Sequence, residues 1–260
     1  MLNDNWKGLN PAIMVPLNDD YSINEQELRN YVEWLIQYEH ITGLVTNGHT
    51  GEIGGFTREE RARITRIVAD QAKGRVRIIS GVSAEGTIDA IEDAKAAQEA
   101  GADGIYLSVQ SIQDNRVSAE TYKEIISPSE LKVLDAANEV KGHNILHICG
   151  YEGARNNIEL FKDYSAQVIN WAVGPEGISL AKGRNIFGGR TVLGGFENGK
   201  DGLLYTGTKT AIQEKVREII ADTGTHGLII GADCTIPSDV NHERIEWVRE
   251  AAIFVRKRRD

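Results

Sequence analysis

Few side chains in this sequence have the type and spacing to do chemistry. There are two cysteines, Cys149 and Cys234, and Cys149 stands two residues beyond His147 in the run Asn144-Ile145-Leu146-His147-Ile148-Cys149. Residues two apart on a strand point to the same side, so this imidazole and this thiol would share a face. Asp233 and Asp239 flank Cys234. Two further groups stand out, the run His49-Thr50-Gly51-Glu52 and the glycines Gly194, Gly195 and Gly231. Each has an ordinary structural reading beside the chemical one. Buried cysteines often behave as small hydrophobes, a strand histidine is often a hydrogen-bonded core group, and glycines permit turns.

The elements that would position these residues alternate short apolar runs with longer amphipathic stretches. Strands are expected at Ala12–Leu17, Gly43–Thr46, Val76–Ser80, Gly104–Ser108, Asn144–Cys149, Val168–Val173, Thr191–Phe196 and Leu228–Ala232. Helices are expected from about Glu25, over Arg58–Lys73, Thr87–Ala100 and about Pro128–Val140, and last over about Asn241–Lys257. Thr57 with Glu60 three residues on forms a capping-box signature. Gly101 suits the end of the third helix, and Ser238 and Asp239 suit the start of the last. Eight β-then-α units with short connections predict parallel strands and a single (β/α)8 TIM barrel. A doubly wound open sheet is the alternative, but no G-x-G-x-x-G follows the first strand. In a barrel Gly194, Gly195 and Gly231 would sit where many barrels bind phosphate through backbone N–H groups.

The totals agree with one soluble domain. The chain has 260 residues, 41% of them hydrophobic and 26% charged, with a net charge of −9. No apolar run approaches the roughly 20 residues needed to cross a bilayer, and the start has no signal-peptide pattern, so a cytoplasmic protein with reduced cysteines is expected. The basic cluster Arg256-Lys257-Arg258-Arg259 reads as a helix-end cap, so no nucleic-acid partner and no membrane partner are expected. A small-molecule ligand at the C-terminal barrel mouth is the expected partner, and no pattern specifies an oligomeric state.

Residues 1–100 resemble the dihydrodipicolinate synthase and N-acetylneuraminate lyase family. The likeness rests on Asn10-Pro11-Ala12, on Asn47-Gly48-His49-Thr50-Gly51-Glu52 followed by Thr57-Arg58-Glu59-Glu60-Arg61, and on Gly81-Val82-Ser83. Residues 101–260 resemble the uroporphyrinogen decarboxylase superfamily instead. Here Leu146-His147-Ile148-Cys149-Gly150, Phe187-Gly188-Gly189-Arg190, Gly194-Gly195-Phe196-Glu197-Asn198 and Gly231–Asp239 carry the match. Both families are barrels, so the chain reads as a hybrid of two half-barrel fragments, with strands one to three from one and four to eight from the other. A switch this clean points to an engineered chimera.

The first resemblance implies a Schiff-base lysine on strand six and a tyrosine after strand four. Val168–Val173 contains no lysine, and strand four ends in Ser108-Val109-Gln110-Ser111. Lys182 falls in a helical stretch and reads as a solvated charge. What survives of that family's site is a carboxylate-binding remnant at His49, Thr50, Gly51 and Glu52. The second resemblance implies, through the related corrinoid-dependent methyltransferases, a zinc site built from a His-x-Cys pair and a later cysteine. The matching positions are His147, Cys149 and Cys234. Such a site is chemically sensible, since zinc takes nitrogen and sulfur ligands tetrahedrally and three protein ligands leave a fourth position open for a substrate thiol. Decarboxylation is not expected, because that activity relies on N-terminal residues this chain replaces. Three functions therefore compete: a scaffold without intact parental activity, a zinc-dependent thiol methyltransferase, and, less favoured, a Schiff-base carbon–carbon lyase.

Overall fold

A computed structural model describes residues 8–110, 117–150 and 155–257. The chain divides into two compact units, Met1–Ser108 with Ser127–Ile145, and Val109–Ile126 with Leu146–Asp260.

In the first unit the strands β1 (Gly43–Thr46), β2 (Arg77–Val82) and β3 (Gly104–Val109, its last residue aside) pair in parallel. The register runs Gly43↔Arg77 to Thr46↔Ser80, then Ile79↔Gly104 to Val82↔Leu107. Helix α1 (Glu25–Ile36) precedes β1, and α2 (Arg58–Ala72) and α3 (Thr87–Glu99) connect the strands. Their apolar stripes meet in one core containing Leu28, Val32, Leu44, Ile64, Val68 and Ile78. The capping box at Thr57 and Glu60 is present, and Lys73 ends α2 in the left-handed region. Ala100 caps α3 and Gly101 follows at φ +110, where a Cβ would be strained.

The expected strand Ala12–Leu17 is not a ladder. Among the described residues there are seven strands rather than eight, and this segment makes only isolated bridges, Ala12↔Val45 in parallel and Leu17↔Ile23 antiparallel. The reason lies in two prolines. Pro11 accepts from the Val45 N–H and Ile13 donates to the Val45 carbonyl, but neither Pro11 nor Pro16 has an N–H to continue the ladder.

Helix Ser127–Val140 packs in this first unit against α3, although its sequence lies in the stretch that resembles the second family. Gln98 Nε2 donates to the Ala137 carbonyl at 3.0 Å, Lys141 Nζ to the Ala102 carbonyl at 2.9 Å, and the Ile105 N–H to Asn144 Oδ1 at 3.0 Å. The compact units thus do not follow a divide at residue 100.

The second unit holds β4 (Ile145–Ile148, its first residue aside), β5 (Val168–Trp171), β6 (Thr191–Phe196) and β7 (Leu228–Ala232), in that order. Parallel pairing runs Val168↔Thr191 to Asn170↔Leu193 and Val192↔Leu228 to Phe196↔Ala232. Every residue of β4 and β5 is buried, as expected of parallel strands covered on both faces. Trp171 is fully buried and packs on Gly183 of helix Leu180–Ile186, while its indole N–H donates to the Ile178 carbonyl at 3.0 Å. The last helix spans Glu243–Lys257. Neither Ser238 nor Asp239 caps it. Asn241 Oδ1 accepts from the Glu243 N–H at 2.9 Å, because Asp239 is engaged by Lys200 at 2.8 Å and the Tyr205 hydroxyl at 2.9 Å. Among the described residues no helix is long and apolar enough to cross a membrane.

Candidate metal centre

The three residues singled out for metal binding converge within the second unit. His147 lies on β4, Cys149 directly follows that strand, and Cys234 lies two residues beyond the end of β7. One ligand atom from each falls within 4.8 Å of the other two. His147 is 4% exposed, whereas both thiols are half-buried and neither is in a disulfide. A nitrogen and two sulfurs this close can all reach one ion, and the donor set suits zinc.

The surroundings prepare each ligand. Asn170, fully buried on β5, donates from Nδ2 to the Leu193 carbonyl at 3.0 Å, which turns its Oδ1 toward His147 Nδ1. That ring nitrogen must then carry the proton and donate, and Nε2 keeps its lone pair for a ligand. Cys149 is held through its backbone. Its N–H donates to the Val109 carbonyl at 2.9 Å and its carbonyl accepts from Asn156 Nδ2 at 3.0 Å. Asn156 is fixed in turn by Glu176, whose carboxylate accepts from the Asn156 amide groups at 2.7–3.0 Å.

The two thiols share a proton unequally. Contact with Cys149, then with His147, holds the Cys234 thiol far below the usual range. The same contact with Cys234, together with burial, pushes Cys149 up. Two adjacent sulfurs, one of them favoured as the thiolate, suit a cation.

Asp233, only 1% exposed, was seen in the sequence merely as a neighbour of Cys234. Its carboxylate accepts from the N–H groups of Gly174 and Gly195, both at 3.4 Å. The Gly195 amide, a candidate for phosphate, therefore faces the chain's own carboxylate. Gly194 borders the same carboxylate, and Gly231 lies beside Leu193 on β7. Burial raises Asp233 to about 6, against the pull of those N–H groups. The folded protein thus binds a proton here more tightly than the unfolded chain. Its stabilising contribution is complete below about pH 4 and is lost as pH rises through about 6. Relative to Asp233→Asn, the metal-free wild type should gain about 1 kcal/mol of unfolding free energy between pH 7 and pH 5 in urea titrations. An unchanged difference between the two pH values refutes the buried-carboxyl assignment.

The carboxylate-binding candidates lie in the first unit. His49–Gly51 form a single 3-10 turn in which His49 and Thr50 are exposed and Gly51 is buried, and exposed Glu52 follows at φ +54. The N–H groups of Gly51, Glu52 and Ile53 are engaged by the carbonyls of Gly48 and His49, which leaves them turned into the loop itself. Asn47 anchors this loop. It sits at φ +53, a conformation asparagine tolerates, and its Nδ2 donates at 3.0 Å to the Arg61 carbonyl, Thr65 Oγ1 and Ser80 Oγ. Lys182 is exposed on helix Leu180–Ile186, as a solvated charge should be.

Sequence reasoning missed Asn170, Asn156 and Glu176. Asn170 had a signal, a lone amide in the otherwise apolar run Val168-Ile169-Asn170-Trp171. Replacing it by alanine takes away the partner of the His147 N–H. Zinc affinity should then fall by about 10- to 100-fold in competition with a chelating dye. An unaltered affinity means that His147 is oriented by something else.

A parallel β/α chain with a His-x-Cys pair and a distant cysteine at strand ends defines a barrel-type protein with a candidate metal centre. Residues 85–253 match the family described as uroporphyrinogen decarboxylase (URO-D). That is more than half of the chain, and the protein belongs to this family. Residues 5–130 match the family described as dihydrodipicolinate synthetase, so the composition is that of two families, and both matches run through residues 85–130.

Among curated relatives, the 4-hydroxy-tetrahydrodipicolinate synthase of Oleidesulfovibrio alaskensis is 40% identical over 102 residues, 39% of this chain and 34% of that enzyme. The synthase of Methanosphaera stadtmanae is 35% identical over 99 residues, 38% of this chain and 33% of that enzyme. The chain thus spans about a third of the length of these relatives. Among solved structures, N-acetylneuraminate lyase from Fusobacterium nucleatum superposes with a TM-score of 0.65 at 21% identity, over 96% of this chain and 75% of that one. The 4-hydroxy-tetrahydrodipicolinate synthase from Methylacidiphilum fumariolicum SolV gives 0.61 at 18% identity, over 87% and 68%. At such identities the likeness is one of fold, that of the dihydrodipicolinate synthase-like TIM barrels.

Proposed function

We propose that the protein is a hybrid scaffold, engineered from two TIM-barrel fragments, that has lost the parental activities and keeps a thiol-activating zinc centre of the methyltransferase type. The observation that carries this reading is the convergence of His147, Cys149 and Cys234 within 4.8 Å. The two-family composition supports the hybrid. Zinc, when bound, supplies a Lewis acid that lowers the pKa of a thiol entering the open fourth position. The protein's own groups do the rest. His147 offers Nε2 in a fixed tautomer, Cys149 and Cys234 offer sulfur, and Asn156 with Glu176 steadies the strand end that carries Cys149. The ligand at this end of the second unit is accordingly a small thiol.

The URO-D family match favours a second reading, a natural zinc-dependent methyltransferase. A Schiff-base lyase is disfavoured, since β5 carries no lysine and Lys182 is exposed on a helix. One set of assays separates the three. Protein purified without chelator or added metal should contain close to one zinc per chain by mass spectrometry. It should leave methylated donors and thiols unchanged, and pyruvate with borohydride should trap no adduct. Thiol methylation supports the natural enzyme, a trapped adduct the lyase, and absence of zinc after reducing reconstitution leaves a bare scaffold.

A further inference from the structure

The same two cysteines have a second chemistry that needs no metal. We propose that Cys149 and Cys234 form a reversible intramolecular disulfide when the metal-free protein meets a hydroperoxide, which makes the pair a modification site. The inference shares residues with the zinc reading but does not depend on it.

Three observations carry it. The sulfurs already lie within 4.8 Å of each other and interact directly, so closing an S–S bond of about 2 Å needs a shift of no more than a few ångströms. That shift can come from one side. Cys149 is anchored at the end of β4 by bonds to Val109 and Asn156, whereas Cys234 lies in the irregular segment beyond β7. Both cysteines are half-buried rather than sealed from solvent. They are the chain's only two cysteines, so no third thiol competes within the molecule.

The step balances. The Cys234 sulfur attacks one peroxide oxygen, the O–O bond breaks, and one water leaves with the thiol proton, which gives a sulfenic acid. The Cys149 sulfur then attacks the sulfenyl sulfur, the S–O bond breaks, and a second water leaves with the Cys149 proton. Two thiols and one peroxide become one disulfide and two waters. The sulfurs lose two electrons and the peroxide gains them. A disulfide sulfur is a poor zinc ligand, so oxidation and metal binding exclude each other.

The test uses the full chain, stripped of metal with a chelator and treated with a small excess of hydrogen peroxide. Titratable thiols should fall from two to none, with a mass lower by two hydrogen atoms in the monomer, and dithiothreitol should restore both. Cys149→Ser and Cys234→Ser should instead gain oxygen. Persistence of both thiols, addition of oxygen without loss of hydrogen, or disulfide-linked dimers overturns the proposal. Because the experiment is done without metal, a failed disulfide and a failed zinc site give different results. The zinc-loaded protein, where zinc binds, should be protected from oxidation. Equal oxidation with and without zinc overturns the mutual exclusion.

Discussion

Changing Cys234 to serine should abolish binding at the proposed zinc site, and changing Cys149 to serine should do the same. Each variant should fall from close to one equivalent to below about a tenth after buffer exchange, as read by mass spectrometry. The physical reason is the ligand chemistry. Cys234 is held low by its neighbours and is available as thiolate, and zinc would deprotonate Cys149 on coordination, whereas a serine hydroxyl keeps its proton. One imidazole and one thiol cannot hold zinc against buffer. Both cysteines are half-buried and at strand ends, so the folded spectrum should survive and unfolding free energies should change by less than about 1 kcal/mol in metal-free protein. Zinc that stays at full occupancy in either variant places it elsewhere. Loss in one variant only reduces the site to two ligands and removes the open-position argument.

Gly81→Ala should be the most damaging small substitution in the first unit. Gly81 lies on β2, and a Cβ there would fall inside the envelope of the Asn47 carbonyl oxygen, 2.7 Å from the Asn47 carbonyl carbon and 3.3 Å from the Gly48 nitrogen. All three are backbone atoms. They cannot step aside, because Asn47 is held by bonds to Arg61, Thr65 and Ser80. The loop would have to leave its left-handed turn or β2 would have to leave its register. We expect a loss of about 3 kcal/mol in urea unfolding. The control is Gly54→Ala, whose Cβ would meet nothing within 4 Å, and which should stay within about 0.5 kcal/mol of wild type. Equal stability of the two variants would show that the loop is not packed against β2 as described.

Much of the local structure was legible. Thr191–Phe196, Leu228–Ala232 and Gly43–Thr46 are strands with the expected ends, and α2 begins at the predicted capping box. The expected strand Val168–Val173 stops at Trp171, and Val173 instead opens a short turn of helix to Glu176. Pro175 stands inside that turn and has no N–H to continue a strand ladder. Ala12–Leu17 failed as a strand for a reason also present in the sequence, Pro11 just before it and Pro16 within it. The helix cap at Asn241 was not legible in the same way. Asp239 is as good a cap by type, and only its through-space partners Lys200 and Tyr205 divert it.

By itself the sequence determined what is encoded over a few neighbouring residues. Periodicity, capping pairs and prolines set the alternation of strands and helices, and the two-residue spacing put His147 and Cys149 on one face. Tertiary structure decided what depends on partners far along the chain. It brought Cys234 to the His147–Cys149 pair, chose the His147 tautomer through Asn170, and filled the Gly174 and Gly195 amides with Asp233. Hydrogen bonds within a turn depend only on local backbone geometry, so they can be read from residue types in order. Contacts across strands depend on which side chain arrives in space, and only the folded chain brings those groups together.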